Sequence, residues 1–297
     1  MAIEITPERE TEVVSPPFPT VNMGGKRVML TMPWQKHTTP QTAFSVMGLF
    51  DRRRCGRLLN FGDAFVAHTR NTCADLFLAS DLEWMLTIDD DMIVPFGDAR
   101  WFNAHTGFAL PPEYAGLNAL DRLLSHNKTL VGGLYFGRHK KGKAMFCEGA
   151  NNPQEAAYAR KAPHNVIKPT RWVATGCLLV HRSVYTDIEA KFPRLARRVD
   201  GKGGQWFSTS EHSVMEGIED LRRLLSDGMH TAEKSYQAQA MVEKLAANAR
   251  RNSTLSMGED VQFCTRAKEA GHQPYVDMGL LCGHVGTCVY GPHNTEP

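Results

Sequence analysis

The sequence predicts an α/β protein with a mainly parallel central sheet, and two observations lead to this class. From Arg27 onward, short apolar runs alternate with stretches of helical periodicity, which is the pattern of repeated strand and helix units. One of these runs, Trp84–Ile88, ends in three successive aspartates, Asp89 to Asp91. Ligands of such sheets bind beyond the carboxyl ends of the strands, so the acids lie where a site is expected.

The predicted elements follow one another in a β-α-β-α-β order up to the aspartates. The apolar runs are short enough for strands, whereas the stretches between them repeat apolar residues at helical spacing. The strands are expected at Val28–Met32, Leu58–Phe61 and Trp84–Ile88, and the helices at Thr42–Phe50 and His68–Ala79.

The same alternation resumes after a stretch rich in Pro and Gly that reaches Gly116. Apolar periodicity again separates helices from strands there. Helices are expected at Leu117–Leu124, Ser183–Lys191 and after Gly258, and strands at Thr129–Val131, at Trp172–Val180 with a break at Gly176, and at Tyr275–Val276.

Residues 194–257 carry a helical pattern without a strand signal. The apolar positions that share one face of the first helix are Val214, Ile218, Leu221 and Leu225. An Asp-Gly pair ends that run, and Thr231 can cap a second helix. We therefore predict a helical hairpin inserted into one α/β domain made of residues 26–193 and 258–297. Residues 1–25, rich in Glu, Thr and Pro, are expected to form a flexible arm.

Composition limits the class of protein without naming a function. A chain of 297 residues with 42% hydrophobic residues can build one large core, and its net charge of +2 neither demands nor excludes a polyanionic partner. Seven scattered cysteines do not match a small secreted framework, so we expect reduced thiols and no structural disulfide. The chain shows no signal sequence and no membrane span, so we expect a cytoplasmic protein without membrane insertion.

The aspartate cluster predicts a divalent cation site. Acids after a strand also serve in turns and helix caps, but three in succession behind a buried strand repel one another unless a cation neutralises them. In an extended backbone Asp89 and Asp91 project to one side and Asp90 to the other. Carboxylate oxygens suit Mg²⁺ or Mn²⁺, so these ions are the expected cofactors.

A second pair of acids, Glu259 and Asp260, follows Gly258 at the start of a predicted amphipathic helix. Acids in a first helical turn are favoured by the helix dipole in any protein. The functional interpretation is a general base, because a carboxylate held there can accept a proton from a hydroxyl nucleophile.

His284 lies between two glycines just beyond the predicted strand Tyr275–Val276. A lone histidine most often has a structural role, but glycine neighbours permit close backbone approach, so it qualifies as a metal ligand if it lies beside the aspartates. Zinc is not expected, because Cys264, Cys282 and Cys288 lack the paired spacing of zinc sites.

Taken together, the motifs are Arg70-Asn71 on a helix, Asp89-Asp90-Asp91, Trp172 to Gly176, Gly258-Glu259-Asp260, and a late His284. Their order and spacing resemble those of nucleotide-sugar glycosyltransferases of the GT-A fold, a Rossmann-like architecture. The resemblance extends from Lys26 to Gly286 outside the insertions. It depends on the succession of the motifs, since none of them is specific alone.

The resemblance implies metal-dependent transfer of a sugar from a nucleotide-sugar donor to an acceptor hydroxyl. It implies that Asp89 and Asp91, the D-x-D positions, hold a divalent ion with His284 against the donor diphosphate. The x-E-D aspartate matches Asp260, which is expected to deprotonate the acceptor in an inverting reaction, with Glu259 orienting the acceptor or the sugar. The other positions at which the resemblance places the nucleotide sugar are Thr31, Pro33, Arg70 and Asp90.

The acceptor stays open between modified DNA and a saccharide or lipid-linked glycan. The chain also resembles compact phage glycosyltransferases, some of which act on hydroxymethylated bases in DNA, and its basic groups suit either a phosphate backbone or an ordinary solvated surface. Aromatic side chains suit a sugar face instead. The residues assigned to acceptor binding are Tyr135, Arg138, Lys140, Lys141, Trp172, Gly176 and Trp206, with further basic groups at residues 52–54, 197–198, 222–223 and 250–251.

Other functional classes also place acids at a strand end. A nucleotidyltransferase needs a glycine-rich phosphate loop after its first strand, and the segment from Thr31 to Lys36 is not one. A metal-dependent nuclease or phosphohydrolase would use Asp89 and Asp91 with two ions and no nucleotide selectivity. A non-catalytic binding protein would leave Asp260 replaceable. The sugar, the nucleotide and the oligomeric state stay open at this point.

Overall fold

The structure is a computed structural model that describes the chain in segments. The described residues are 13–14, 28–34, 38–50, 55–62, 66–138, 144–146, 159, 161–196, 203–207, 221–222, 224–225, 232–254, 258–286 and 288–291. Most of the predicted arm, Lys140, Lys141, and the apolar positions Val214 and Ile218 lie outside the described residues.

Strands and helices alternate along the described chain. The strands are β1 (Val13–Val14), β2 (Val28–Trp34), β3 (Cys55–Gly62), β4 (Trp84–Ile88), β5 (Met92–Ile93), β6 (Leu130–Leu134), β7 (Val166–Pro169), β8 (Cys177–His181), β9 (Tyr275–Leu281), β10 (Gly283–Val285) and β11 (Val289–Tyr290). The α-helices are α1 (Pro40–Leu49), α2 (Val66–Leu78), α3 (Ala99–Thr106), α4 (Ala119–Ser125), α5 (Arg182–Lys191), α6 (Ala232–Thr254) and α7 (Glu259–Glu269).

The described strands form an eight-stranded sheet in the order β1-β7-β9-β6-β8-β4-β2-β3 and a three-stranded sheet in the order β11-β10-β5. The α/β class is therefore as predicted. The large sheet is mixed, however, which corrects the prediction of a mainly parallel one. β2 is parallel to β3 and β4, and β6 is parallel to β9, whereas β8 is antiparallel to both β4 and β6, and β7 is antiparallel to β9 and β1.

The two reversed strands, β7 and β8, differ from the sequence prediction. The sequence pattern predicted a strand over Trp172–Val180, but β8 begins only at Cys177, and the residues before it form an irregular segment in which Val173 bridges to Phe146. β7 was not predicted, because Lys168 and Pro169 interrupt its apolar character. Periodicity indicates local burial and carries no information about strand direction. An antiparallel strand that follows without a crossover helix could therefore not be predicted from it.

Local sequence signals fix where several helices begin. α1 begins with Pro40 after Thr39, whose side-chain oxygen accepts a hydrogen bond from the amide of Thr42 at 3.1 Å. Asp98 caps α3 by accepting from the amide of Trp101 at 2.9 Å, and Asn118 caps α4 in the same way. Such caps contribute about 1 kcal/mol each, and they set the helix starts on both sides of the aspartate cluster.

A buried ionic cluster holds α4 against β9. Asp277 on β9 is fully buried, accepts from Nη2 of Arg122 at 2.7 Å, and lies 2.7 Å from Nε2 of His126. Burial would raise the pKa of Asp277, but the hydrogen bonds from His126 and Arg122 outweigh it and lower that pKa. The carboxylate is therefore held charged inside the fold, on an element that leads directly to His284.

Part of the predicted insertion belongs to the core. Trp206 and Phe207 are 1% and 3% exposed, and the segment that carries them is bound to α2. The amide of Gly204 donates to Asp75 at 2.9 Å, and that of Phe207 donates to Asn71 at 3.0 Å. The long helix α6, in contrast, has many exposed side chains among those that are described. Among the described helices, none combines the length and apolar character needed to cross a bilayer.

Candidate active site

Several of the functional residues that the sequence singled out meet at one edge of the large sheet. Asp89 follows the carboxyl end of β4, Tyr135 that of β6, and His284 that of β9, while Gly176 precedes the start of the antiparallel strand β8. The amide of Asp89 donates to the carbonyl of Gly176 at 3.1 Å, which joins the ends of β4 and β8 at this edge. The mixed topology thus still gathers polar groups where a ligand of an α/β sheet binds.

Asp91 and His284 lie side by side, as the sequence argument required. Nε2 of His284 is 3.3 Å from Oδ2 of Asp91, and both side chains are mostly buried. The small sheet produces this approach, because β10 pairs with β5 in a register that sets His284 opposite Met92. The amide of Val285 also donates to the carbonyl of Asp91 at 2.7 Å.

The other ring nitrogen of His284 shows what the pair can bind. Nδ1 lies 2.8 Å from the carbonyl oxygen of Phe136, which can only accept, so Nδ1 carries the proton. A neutral ring then turns the lone pair of Nε2 toward the carboxylate of Asp91. That contact needs either a second proton on the ring or a cation between the two groups. A histidine fixed by a backbone carbonyl on its far side is the usual arrangement of a metal ligand.

Arg138 also contacts Asp91. Its Nη1 lies 2.9 Å from Oδ2 of the aspartate, and its side chain is 53% exposed. Burial would raise the pKa of Asp91, but the hydrogen bond and charge of His284, together with Arg138, lower that pKa. Arg138 was assigned to the acceptor, and this contact gives it an additional place at the acidic cluster.

Asp89 does not accompany Asp91 as a metal ligand in this arrangement, which corrects that assignment. Nη2 of Arg70 lies 2.8 and 2.7 Å from the two carboxylate oxygens of Asp89, so both oxygens already have a cationic partner. Among the described residues, no group of three or more His, Cys, Asp or Glu side chains is arranged to hold a metal. The residues fit a divalent ion at Asp91 and His284, with further ligands from outside the protein, and they do not fit one at Asp89.

Arg70 itself is an internal residue, which corrects its assignment to the nucleotide. Its side chain is 5% exposed, and Nη1 contacts the carboxylate of Glu259 and lies 3.5 Å from Oδ1 of Asp260. Burial alone would lower the pKa of Arg70, but the surrounding carboxylates of Asp89, Asp260 and Glu259 raise it above its ordinary value. The guanidinium is therefore a permanent positive charge at the centre of the acids.

Asp260 has the properties of a proton acceptor that works near neutral pH. Its Oδ1 accepts a hydrogen bond from the hydroxyl of Thr175 at 3.1 Å, and its side chain is 19% exposed. Burial raises the pKa of Asp260 to about 7; the charge of Arg70 opposes this shift, and the charges of Glu259 and Asp89 add to it. A general base is most effective when its pKa is close to the working pH.

Tyr135 and Gly176 are structural parts of this edge rather than an exposed platform for an acceptor. Tyr135 is 4% exposed, and its hydroxyl oxygen accepts from the amide of Gly176 at 3.0 Å. A Cβ at position 176 would lie 2.6 Å from that ring, so the close approach requires glycine. The ring also contacts His284 edge to face, with centroids 5.4 Å apart, and so supports the pair of Asp91 and His284.

Thr31 and Pro33, assigned to the nucleotide, are buried within β2. The hydroxyl of Thr31 is 1% exposed and lies 3.0 Å from that of Thr87 on β4, so it serves the sheet interior. Asp90 is partly exposed, and its carbonyl accepts from the amide of Thr39 at 3.1 Å, which ties the start of α1 to the cluster.

The aromatic residues assigned to the acceptor also need correction. Trp206 packs edge to face on Tyr185 in the core, where an incoming sugar has no access to it, and Trp172 is partly buried. Exposed rings lie elsewhere. Phe44 on α1 is 54% exposed and stacks on Trp101 of α3 with centroids 4.8 Å apart. Sequence reasoning missed this pair, because the two residues come from different helices and neither helix shows a strong apolar stripe.

Two contacts at the site had no separate sequence signal. Thr175, the hydroxyl donor to Asp260, lay within the Trp172 to Gly176 motif without an assigned role. The carbonyl of Phe136, which fixes His284, is a backbone group that any residue type supplies. Only the convergence of separate strands reveals either contact.

Carboxylates outnumber guanidinium groups at the site. Among the described residues, four carboxylates (Asp89, Asp91, Glu259 and Asp260) contact two guanidinium groups (Arg70 and Arg138). Oxygen-rich sites with one imidazole are of the kind that suits Mn²⁺ or Mg²⁺.

Comparison with known proteins adds little to this geometry. No protein-family model matches the chain, and the search of curated proteins found no relative. A solved structure described as "Crystal Structure of A197 from STIV" is similar over 90% of this chain and 91% of its own, with 13% sequence identity and a TM-score of 0.43. A likeness at that TM-score carries no argument about function.

Proposed function

We propose that the protein is a divalent-cation-dependent glycosyltransferase that moves a sugar from a nucleotide-sugar donor to an acceptor hydroxyl. One observation carries the proposal: a buried carboxylate with a pKa near 7, Asp260, lies at the same sheet edge as the Asp91 and His284 pair. A GT-A type of catalytic domain, spanning residues 26–193 and 258–297, is part of the same proposal. The motif order supports it, and so does the α/β architecture.

In the proposed reaction, the acceptor oxygen forms a bond to the anomeric carbon while the bond from that carbon to the diphosphate oxygen breaks. The proton of the acceptor hydroxyl passes to Asp260, and the nucleoside diphosphate leaves with the bonding electrons. Attack on the face opposite the leaving group inverts the anomeric configuration. A general base contributes about 10²- to 10⁴-fold to such a step.

Asp91 and His284 would hold the cation in this scheme. When bound, Mn²⁺ or Mg²⁺ supplies positive charge against the donor diphosphate as it departs. Arg138, half exposed and in contact with Asp91, is placed to approach the same phosphates. Asp89 acts through Arg70 rather than as a ligand.

We assign the aromatic contact with the acceptor to the exposed ring of Phe44 instead of Trp206. The amide of Thr39, at the start of α1, donates to the carbonyl of Asp90 at 3.1 Å. Phe44 lies five residues further along the helix, which is about 8 Å at 1.5 Å per residue. A half-exposed ring that stacks on Trp101 suits a sugar or a base of the acceptor.

DNA and a glycan remain the two acceptor candidates. Arg222 is exposed, but Lys140, Lys141 and most of the other basic clusters lie outside the described residues. Salt dependence separates the candidates, since phosphate contacts release counterions. Binding to hydroxymethylated duplex that weakens steeply between low and moderate salt supports DNA, and a flat response removes it.

The test of the proposal is a thermal-shift screen of nucleoside diphosphates with and without Mn²⁺. Selective, metal-dependent stabilisation by one nucleotide is expected, because a ligand that binds only the folded state raises its stability. Asp91→Asn should abolish the metal dependence, and Asp187→Asn on the far helix α5 serves as the control. Indifference to every nucleotide would contradict the proposal. Mass spectrometry with mixed nucleotide sugars and hydroxymethylated DNA or oligosaccharides then identifies the product.

A further inference from the structure

Arg70 contacts carboxylates of both acidic motifs, the aspartate cluster and the Glu259-Asp260 pair. It lies on α2, with its side chain 5% exposed, and it contacts Asp89 after β4 as well as Glu259 and Asp260 at the start of α7. These elements are far apart in the chain, so the guanidinium is the shared partner that brings their carboxylates together. The remaining donor of this side chain, Nε, has no hydrogen-bond partner among the described residues.

The three contacts of Arg70 are not equivalent. Asp89 receives Nη2 on both carboxylate oxygens at 2.8 and 2.7 Å, and Glu259 receives Nη1 in a close contact. Asp260 is further away, at 3.5 Å from Nη1. Asp89 and Glu259 therefore anchor the guanidinium, and Asp260 faces an arginine whose position is already fixed.

Two hydrogen-bond donors to one carboxylate oxygen fix the orientation of Asp260. Its Oδ1 receives both the Thr175 hydroxyl, at 3.1 Å, and Nη1 of Arg70. Two donors on the same oxygen set the rotation of the carboxylate. The ionisable groups that face Asp260 are Arg70 from α2, Glu259 and Cys264 from α7, Asp89 after β4 and Tyr135 after β6.

We infer that Arg70 is a positioning residue for the proposed base: it orients Asp260 and supplies the positive charge that allows this carboxylate to ionise, with Asp89 and Glu259 as its anchors. The inference rests on the proposed role of Asp260. It also gives the first aspartate of the acidic cluster a function other than metal binding. Among the facing groups, Arg70 is the one that favours the ionised carboxylate, since Glu259, Asp89 and Tyr135 do not supply positive charge.

Two substitutions separate the charge of Arg70 from its shape. Arg70→Met keeps the length of the side chain and removes the charge, so the ionisation midpoint of Asp260 should rise by about one pH unit or more. Arg70→Lys keeps the charge, so the midpoint should stay close to that of the wild type. A single ammonium cannot reach Asp89, Glu259 and Asp260 in a fixed fork, so kcat of Arg70→Lys should fall by about tenfold or more with little change in KM for the donor.

The midpoint is measured by NMR titration of ¹³C-labelled aspartate carboxyls, with the Asp260 signal assigned by its loss in Asp260→Asn. This measurement needs no turnover, so it tests the role of Arg70 separately from the proposed sugar transfer. Absence of sugar transfer with a midpoint that moves as expected would contradict the proposed function alone. Transfer by the wild type, with the same Asp260 midpoint in wild type and Arg70→Met, would overturn the role of Arg70.

The Lys variant keeps the inference open to refutation if Arg70→Met does not fold. Wild-type kcat in Arg70→Lys would show that the fork geometry is not needed, and the positioning role would be wrong. A merely structural arginine predicts lower stability in both variants, with an unmoved Asp260 midpoint in Arg70→Met and wild-type kcat per folded molecule in Arg70→Lys. Comparison of kcat and of the free energy of unfolding in wild type and Arg70→Lys therefore distinguishes positioning from structural support.

Discussion

Nε2 of His284 lies 3.3 Å from Oδ2 of Asp91, although the two residues are far apart in the sequence. The approach depends on the pairing of β10 with β5, and the imidazole is oriented by the carbonyl of Phe136. A carboxylate and an imidazole nitrogen at this separation need either a proton on that nitrogen or a cation between the two groups. The proposed cation site depends on this pair.

Replacing the proposed base should separate chemistry from donor binding. Asp260→Asn keeps the shape of the side chain and removes the proton acceptor, so kcat should fall by about 10²- to 10⁴-fold while donor affinity stays nearly the same. Glu269→Gln, at the exposed end of the same helix, should have wild-type kinetics. An equal loss of donor affinity in Asp260→Asn would show that Asp260 binds the donor instead.

The rate should depend on pH in the direction set by Asp260. Its pKa is raised to about 7 by burial, so the carboxylate is protonated below that pH and ionised above it. A base acts in the ionised form, and kcat should therefore increase as the pH rises through about 7. The increase is measured in a pH profile of kcat at saturating donor and acceptor. A rate that is already maximal at pH 5 would exclude Asp260 as the base.

The exposed ring stack should affect the acceptor alone. Removal of one aromatic contact costs about 0.5–1.5 kcal/mol, so Phe44→Ala should raise KM for the acceptor by roughly 2- to 12-fold. Hydrolysis of the donor without acceptor should be unchanged. Met47→Ala on the same helix is the control, because Met47 is 60% exposed and has no ring. Equal effects of both variants would show that α1 contributes only general apolar contact.

The buried ionic cluster should dominate the stability of the β9 side of the sheet. Asp277→Asn leaves Arg122 and His126 without their charged partner, and breaking a buried pair costs about 3–5 kcal/mol. The matched control is Asp187→Asn, because Asp187 contacts His272 at 3.0 Å but is 52% exposed. Such an exposed pair contributes about 0–1 kcal/mol. Urea unfolding at pH 7 compares the two.

The pH dependence of this stability has a definite sign. The pKa of Asp277 is lowered in the fold, so its stabilising contribution is present above the unfolded pKa of about 3.9 and is lost as the pH falls through the folded value. The free energies of unfolding of wild type and Asp277→Asn should therefore converge below about pH 4. A gap that is constant from pH 7 to pH 3 would contradict the charged state assigned to Asp277.

The sequence predicted most elements of the fold because their signals are local. Apolar runs and helical periodicity located β4, α2 and α7, and the site residues followed from acids placed at element ends. Strand direction was not predictable. It depends on which strands pair across the sheet, so the reversal of β7 and β8 had no counterpart in the periodicity.

The sequence indicated which acids and which histidine come together at the candidate site, but not their other contacts. The structure brings Asp91, His284 and Asp260 to one edge of the sheet, and the roles assigned to them stay predictions. The contact of Asp89 with Arg70 could not be predicted, because the helical pattern around Arg70 is compatible with both an exposed and a buried arginine. Trp206 was misassigned for the same reason: a large ring suits a core as well as a ligand platform.

The most direct test of the account is Mn²⁺ binding followed by EPR in the presence of a nucleoside diphosphate. The wild type should bind one Mn²⁺ whose spin-echo modulation carries a histidine nitrogen, and that modulation should disappear in His284→Ala while Asp91→Asn weakens binding by at least about tenfold. Mn²⁺ that binds wild type and both variants alike, or that shows no nitrogen modulation in the wild type, would contradict a cation held between Asp91 and His284.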